Sequence, residues 1–200
     1  MVFSKEHFTL KDEFDYGKIL GQFDTEKPLT FGSPINVLLI TNRLFGCAEG
    51  LKEYLQNSTD ITVNLVSNSD DAIQIILERP IEFLILVGYS KDIRTYGILK
   101  FFKRANKYSD TILYTVMEDY VFALGEEHGI DYVCNRMLSV DLLIKSMRGS
   151  YFEQTTKTLD DHPEAAPEQA EEIRKQVRVE ALAEISHGKG LAMALKRFIK

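Results

Sequence analysis

Few residues in this chain have the type and spacing that chemistry requires. Cys47 and Cys134 are its only cysteines. Two are too few for a zinc set or a disulfide framework, and they fit a reducing, cytoplasmic setting. His7, His128, His162 and His187 are scattered and never at metal-ligand spacing. A dinucleotide site needs G-x-G-x-x-G after a strand, so that backbone can approach pyrophosphate. Gly46 and Gly50 have the wrong spacing and fall in a helical stretch. A phosphate-cradling P-loop ends in G-K-S or G-K-T, whereas Gly188-Lys189-Gly190 is followed by Leu191 with no strand before it. The stretch TNRLFG from Thr41 is not the Ser/Thr/Gly-rich loop that wraps a phosphate. With no catalytic motif, no metal set and no cofactor loop, the expectation is a binding protein, not an enzyme.

Composition agrees. Of 200 residues, 44% are hydrophobic and 27% charged, which is ordinary for a globular chain. The net charge of −6 and pI of about 5.3 argue against a general nucleic-acid binder. No stretch approaches the ~18 consecutive apolar residues of a membrane span. The opening MVFSKEHFTLKDEF is acidic and broken, unlike a secretory signal.

The elements that would position a site lie in the middle of the chain. Residues 1–34 read as a polar leader, with Leu10, Phe14, Ile19 and Leu20 suggesting one short helix after a Thr9 cap. Residues 35–150 alternate. Ile35–Thr41 is a nearly continuous apolar run, as expected for a strand buried on both faces. A helix is expected over 44–57, then a strand over Ile61–Val66. Ser69 is the expected cap of the next helix, with Asp70 and Asp71 suiting its positive end and Pro80 stopping it. Strand three is Ile81–Val87, followed by a basic-faced helix over Tyr96–Lys107, in which Lys100, Lys103, Arg104 and Lys107 read as a solvated face. Strand four is Thr111–Met117, a helix over Asp119–His128 ends at Gly129, and strand five is Asp131–Asn135. Ser139 is the expected cap of the last helix. Cys47 and Cys134 read as structural residues. Five βα units predict an α/β, doubly wound, flavodoxin-like five-stranded parallel sheet.

At the carboxyl ends of those strands, where such sheets hold ligands, stand Thr41 and Asn42, then Val87 and Gly88, then Thr115 with Glu118 and Asp119 beyond, then Asn135 and Arg136. With Thr115 near the end of strand four and G-I-D-Y (Gly129–Tyr132) leading into strand five, residues 35–150 resemble the CheY-like receiver domain of bacterial response regulators. The resemblance implies an acid pair at Thr41 and Asn42, a phospho-accepting aspartate at Val87, a hydroxyl at Thr115, a switching aromatic at Tyr132 and a lysine at Asn135. Three of these are departures. Thr41 and Asn42 offer neutral dipoles where magnesium wants carboxylates, Val87 has no nucleophilic oxygen, and Asn135 has no charge to pair with a phosphoryl group. Leu86, Gly88 and Tyr89 are not acids either, and Asp92 lies well into the following loop. The expectation is a pseudo-receiver with its switch chemistry lost, Tyr132 fixed in one rotamer or simply packed on the last helix. An unrelated flavodoxin-like ligand-binding domain is the alternative that alternation alone leaves open.

Residues 151–168 read as a linker and 169–200 as a helical arm. Ile173, Val177, Ala181 and Ile185 recur at i+4 as a narrow apolar stripe. The stretch Ile185–Met193 resembles part of the RNA-binding ANTAR output module at Ile185, Lys189, Gly190, Leu191 and Met193, but carries Ser186 where an acid is expected. Two occupants of the arm follow. One is a second copy of itself, or its own domain. The other is RNA, contacted by Lys189, Lys196, Arg197 and Lys200. The partner surface implied by the receiver resemblance includes Tyr120, Phe122, Tyr132 and Met137. The expected function is thus a signalling regulator that works through protein partners, homodimeric through its arm, with neither membrane nor metal involved.

Overall fold

The computed structural model describes residues 34–41, 45–88, 93–115, 129–135 and 140–187. The helices expected after Thr9 and over 119–128 and the final basic helix lie outside them. The five apolar runs form β1 (Ile35–Ile40), β2 (Ile61–Val66), β3 (Phe83–Val87), β4 (Asp110–Thr115) and β5 (Tyr132–Asn135). All neighbours pair in parallel, in the order β2-β1-β3-β4-β5. This is the doubly wound arrangement that the alternation predicts. Its order reverses at β1, so the crevice between the carboxyl ends of β1 and β3 is the place where such sheets bind ligands.

Strand side chains alternate between two apolar layers. Ile35, Val37 and Leu39 join Phe83, Ile85 and Val87 on one face. Helices α1 (Phe45–Gln56) and α4 (Val140–Asp161) cover that face with Ala48, Leu51, Leu55, Leu143, Ile144 and Met147. Leu38, Ile40, Leu84, Leu86 and Leu113 point the other way. There α2 (Ser69–Glu78) and α3 (Ile93–Ala105) supply Ala72, Ile73, Ile76, Ile98, Leu99, Phe101 and Phe102. Burial on both faces is why the central strands β1 and β3 read as nearly continuous apolar runs, whereas β2 carries the exposed Thr62.

Local details correct some expectations. The cap of α2 is Asn68, not Ser69: the Asn68 side-chain Oδ1 accepts the Asp71 N–H at 2.8 Å. A cap reaches the backbone three residues on, and the helix already turns at Ser69. Strand three starts at Phe83, not Ile81, because its ladder begins only where it meets Val37 of β1. Cys47, read as structural, is exposed on α1.

The larger correction concerns the linker. Residues 151–161 continue α4, which runs 22 residues to Asp161, two residues before Pro163. At 1.5 Å per residue such a helix is about 33 Å long, against roughly 20 Å for a six-residue strand. α4 therefore overshoots the amino-terminal edge of the sheet. The inward positions of its second half are Ser150, Gln154 and Thr158, all at most 3% exposed. These polar residues made the segment look like a linker, yet they recur every fourth residue on one face. A short 3-10 turn at Pro167–Gln169 then leads into α5 (Ala170–His187), which packs against α3 and α4. No helix among the described residues is long and apolar enough to cross a membrane.

Candidate functional site

At the carboxyl ends of the strands, Thr41 follows β1, 3% exposed, and its N–H donates to the Val66 carbonyl at 3.1 Å. Val87 ends β3 and is also 3% exposed, its side chain within the layer under α1 and α4. Gly88 follows at φ +77°, a conformation glycine takes without a Cβ penalty, and its N–H donates to the Tyr114 carbonyl at 2.8 Å. Thr115 and Asn135 end β4 and β5 as neighbours in register. Thr41, Val87, Thr115 and Asn135 thus all stand at one end of the sheet. Asn42, Asp92, Glu118, Asp119 and Arg136 lie outside the described residues, as do the side chains of Thr115 and Asn135. Among the described residues no group of three His, Cys, Asp or Glu could hold a metal ion.

Tyr132 opens β5 and is half-buried against the layer beneath α4. With Phe83, Ile112, Leu143 and Met147 it lines a small apolar cavity. Burial first, and the nearby Asp110 charge second, push its hydroxyl well above the usual tyrosine range. Tyr120, Phe122 and Met137, its expected companions, lie outside the described residues, as do Lys189, Lys196, Arg197 and Lys200.

The opposite, amino-terminal edge of the sheet is rich in polar contacts. Asp110, 5% exposed, accepts from Ser150 Oγ and from Gln154 Nε2, the latter at 2.8 Å. Gln154 also donates to the Glu82 carbonyl at 3.3 Å. The Glu82 carboxylate accepts the Asn36 N–H at 2.7 Å. Burial raises both the Glu82 and the Asp110 carboxyl above the usual carboxylate range. Asp131 accepts from the Thr111 N–H and Oγ1, each at 2.7 Å, and from Lys103. Asp161, at the end of α4, accepts from Tyr108 at 2.9 Å and pairs with Lys107 at 2.6 Å.

A separate set of contacts seats the arm. Arg174 of α5 donates to the Tyr151 hydroxyl at 2.8 Å and lies 4.6 Å from that ring's centre. Arg178 is 9% exposed and donates to the Ile76 and Leu77 carbonyls, the latter at 2.9 Å. Those carbonyls end α2 and have no partner within the helix, so the guanidinium serves as its carboxyl-terminal cap. Ile185 is buried in the α2–α3 layer, with Leu182 packed against it. The expected stripe of Ile173, Val177, Ala181 and Ile185 is thus only partly the buried face: Ile173, Val177 and Ala181 are half-buried, while Arg178 is buried beside Ile185. Long cationic stems cover apolar surface while their heads find acceptors, which an apolar count misses. Glu82, Asp110, Gln154, Arg174 and Arg178 were not singled out from the sequence. The Ser150–Gln154–Thr158 and Arg174–Arg178 spacings were the signals available.

No family profile and no curated protein matches the chain. Solved structures do. A signal receiver domain of an HD domain-containing protein from Pseudomonas fluorescens Pf-5 aligns at TM-score 0.52 and 16% identity, over 62% of this chain and 98% of that one. The fold is that of a receiver domain. A CheY-like response regulator receiver from Methanospirillum hungatei JF-1 aligns at TM-score 0.52 and 12% identity, covering 62% of this chain and 98% of its own. The receiver domain of a putative LuxO repressor from Vibrio parahaemolyticus gives TM-score 0.53 and 18% identity, over 66% and 99%. The flavodoxin-like sheet is therefore a receiver-type sheet, with α5 as a helical addition to it.

Proposed function

We propose that this receiver-like domain is a signalling regulator that binds protein partners and has given up the phosphorylation switch. The observation that carries the proposal is Val87. By the receiver resemblance it stands for the phospho-accepting aspartate, and it is a buried aliphatic side chain. Forming an acyl phosphate requires a carboxylate oxygen as nucleophile, and valine supplies none. Magnesium, which the receiver fold implies, wants hard oxygen ligands including carboxylates in near-octahedral array. The Thr41 side chain offers a single hydroxyl and the Val87 side chain no oxygen, so the described side chains supply no carboxylate for the ion. Asn135 adds no charge where a lysine would pair with phosphoryl oxygen.

What remains is recognition by a fixed surface. Tyr132, packed as it is, belongs to a frame that does not depend on phosphate. With Tyr120, Phe122 and Met137 it makes the partner face that the receiver resemblance suggests. A beryllofluoride titration with magnesium, followed through backbone amide resonances of the full chain, tests the proposal. Unmoved resonances at Thr41, Val87 and Thr115 are expected. Saturable shifts there would mean that a phosphoryl mimic is held after all.

The homodimer is a second element of the proposal. Part of the arm's apolar face is engaged with its own domain, so a dimer would use the outward face, where Val179 is 61% exposed. Light scattering on the full chain decides: twice the chain mass supports the dimer, and one chain mass removes it.

A further inference from the structure

The side of the molecule covered by α3 and α5 carries two charged stripes. On α3, Lys100 and Arg104 stand four residues apart and are both exposed, so they share one face of the helix. Their neighbours are engaged: Lys103 pairs with Asp131 and Lys107 with Asp161. Among the described residues, Lys100 and Arg104 form no ion pair. On α5, Glu172, Gln176, Glu180 and Glu184 recur every fourth residue, all exposed. Among the described residues, none of these acids has a cationic partner, and Glu180 accepts only from the neutral Gln176 amide at 3.0 Å. Beside them Val179 is a large apolar side chain left 61% exposed.

α5 packs against α3, with its own opposite face, Arg178 and Ile185, turned inward. Both helices cover the same face of the sheet, so both stripes look out to solvent on one side of the molecule. A basic stripe beside an acidic one is self-complementary: a two-fold axis running between them lays the α5 of each copy over the α3 of the other. The acids of α5 then meet Lys100 and Arg104 twice. Laying α5 on α5 would set acid against acid, which opposes association. We propose that this surface is a weak two-fold interface between copies of this chain, acidic α5 on basic α3 with Val179 as its apolar anchor, resting on the homodimer reading and giving it a place. α5 has 18 residues and is about 27 Å long, and two helices side by side are about 20 Å wide. Such a face covers on the order of 500 Å² per copy, below the roughly 800 Å² of a standard interface. The dimer is therefore concentration-dependent, and its exposed charges make it salt-dependent.

Sedimentation velocity on the full chain over a concentration series tests this, with two charge-reversed double variants. One is Lys100→Glu with Arg104→Glu, the other Glu180→Lys with Glu184→Lys. All four positions are exposed, so the fold tolerates the changes. Expected is a wild-type dimer that weakens in about 1 M salt, where charges are screened beyond roughly 3 Å. Each variant alone associates about tenfold or more weakly than the wild type, because like charges now oppose each other. Mixed in equal amounts, the two variants associate again, since one is acidic on both stripes and the other basic on both. A wild-type dimer that is indifferent to salt, or that both variants form equally well, overturns this surface and leaves the homodimer standing. Weakening without recovery on mixing also overturns the surface. A wild type that stays monomeric at every concentration removes the homodimer itself, and the surface with it.

Discussion

The two ends of this sheet differ in what their side chains do. At the carboxyl ends, where parallel sheets hold their chemistry, Thr41 and Val87 are buried and Gly88 turns the chain. At the amino ends, Glu82, Asp110 and Asp131 meet Ser150, Gln154, Thr111 and Lys103 in a bonded network. Among the described residues, polar groups fasten helices to the amino-terminal edge of the sheet. A buried polar group stabilises only when it is satisfied, and most of this network is. Among the described residues, the amino-terminal end fastens α3 and α4 to the sheet by hydrogen bonds, while Thr41 and Val87 at the other end are held by packing.

The comparison is broken most severely at Asp110. Asp110→Ala removes the acceptor of the Ser150 hydroxyl and leaves the buried Gln154 amide only its longer bond to the Glu82 carbonyl, at a cost of about 2–3 kcal/mol in denaturant unfolding. Asp110→Asn separates charge from hydrogen bonding. Because burial raises the folded-state Asp110 carboxyl above its ordinary value, the wild-type folded state binds more protons than the unfolded state in the window above that ordinary value. The group's contribution to stability therefore falls as pH rises through that window. The Asn variant should gain on the wild type from acid to neutral pH. A pH-independent difference between the two would contradict the assignment.

Val87→Asp probes the other end. Placing a carboxylate at this 3%-exposed position should cost about 2 kcal/mol or more, and on the proposed reading, with Thr41, Asn42 and Asn135 standing for the acid pair and the lysine, phosphate uptake should not appear. Uptake by this single variant would mean that the rest of the switch is intact.

Arg178→Met keeps much of the side chain's volume and removes the cap on α2. A loss of about 1–2 kcal/mol is expected, together with faster proteolysis in the 162–169 turn. Unchanged cleavage would mean that the arm does not depend on this residue.

The smallest effect is at Arg148, whose guanidinium contacts both carboxylate oxygens of Asp60 at 2.7 and 2.8 Å. This pair holds the Asp60 carboxyl below the usual carboxylate range, chiefly through the hydrogen bonds from Arg148. Its stabilisation is present above the ordinary carboxylate value and is lost as pH falls through the lowered one. Arg148→Met should cost about 0.5–1 kcal/mol at neutral pH and less at pH values below the Asp60 titration. Equal losses at both pH values would show that the pair contributes nothing.

Much of the fold was legible. β1 and β3 announce themselves because burial on both faces forces nearly continuous apolar runs, and β2 falls within the bounds its side chains suggest. The second half of α4 was not legible as helix. It packs on an edge where backbone carbonyls and Asp110 must be met by polar groups, so its buried face is Ser150, Gln154 and Thr158. The seat of α5 was missed for a related reason: arginine contributes both a covering stem and a capping head. At the rim, the residue types themselves were informative. Val87 can be read as unable to accept a phosphoryl group from its identity alone, and the structure adds that it is buried.

The central claim is that this receiver fold does not carry the phosphorylation switch. Intact mass of the full chain after incubation with acetyl phosphate and magnesium tests it most directly. An unchanged mass is expected. An acid-stable increase of one phosphoryl group is not the relevant contradiction; an acid- and base-labile increase of one phosphoryl group, the mark of an acyl phosphate, is.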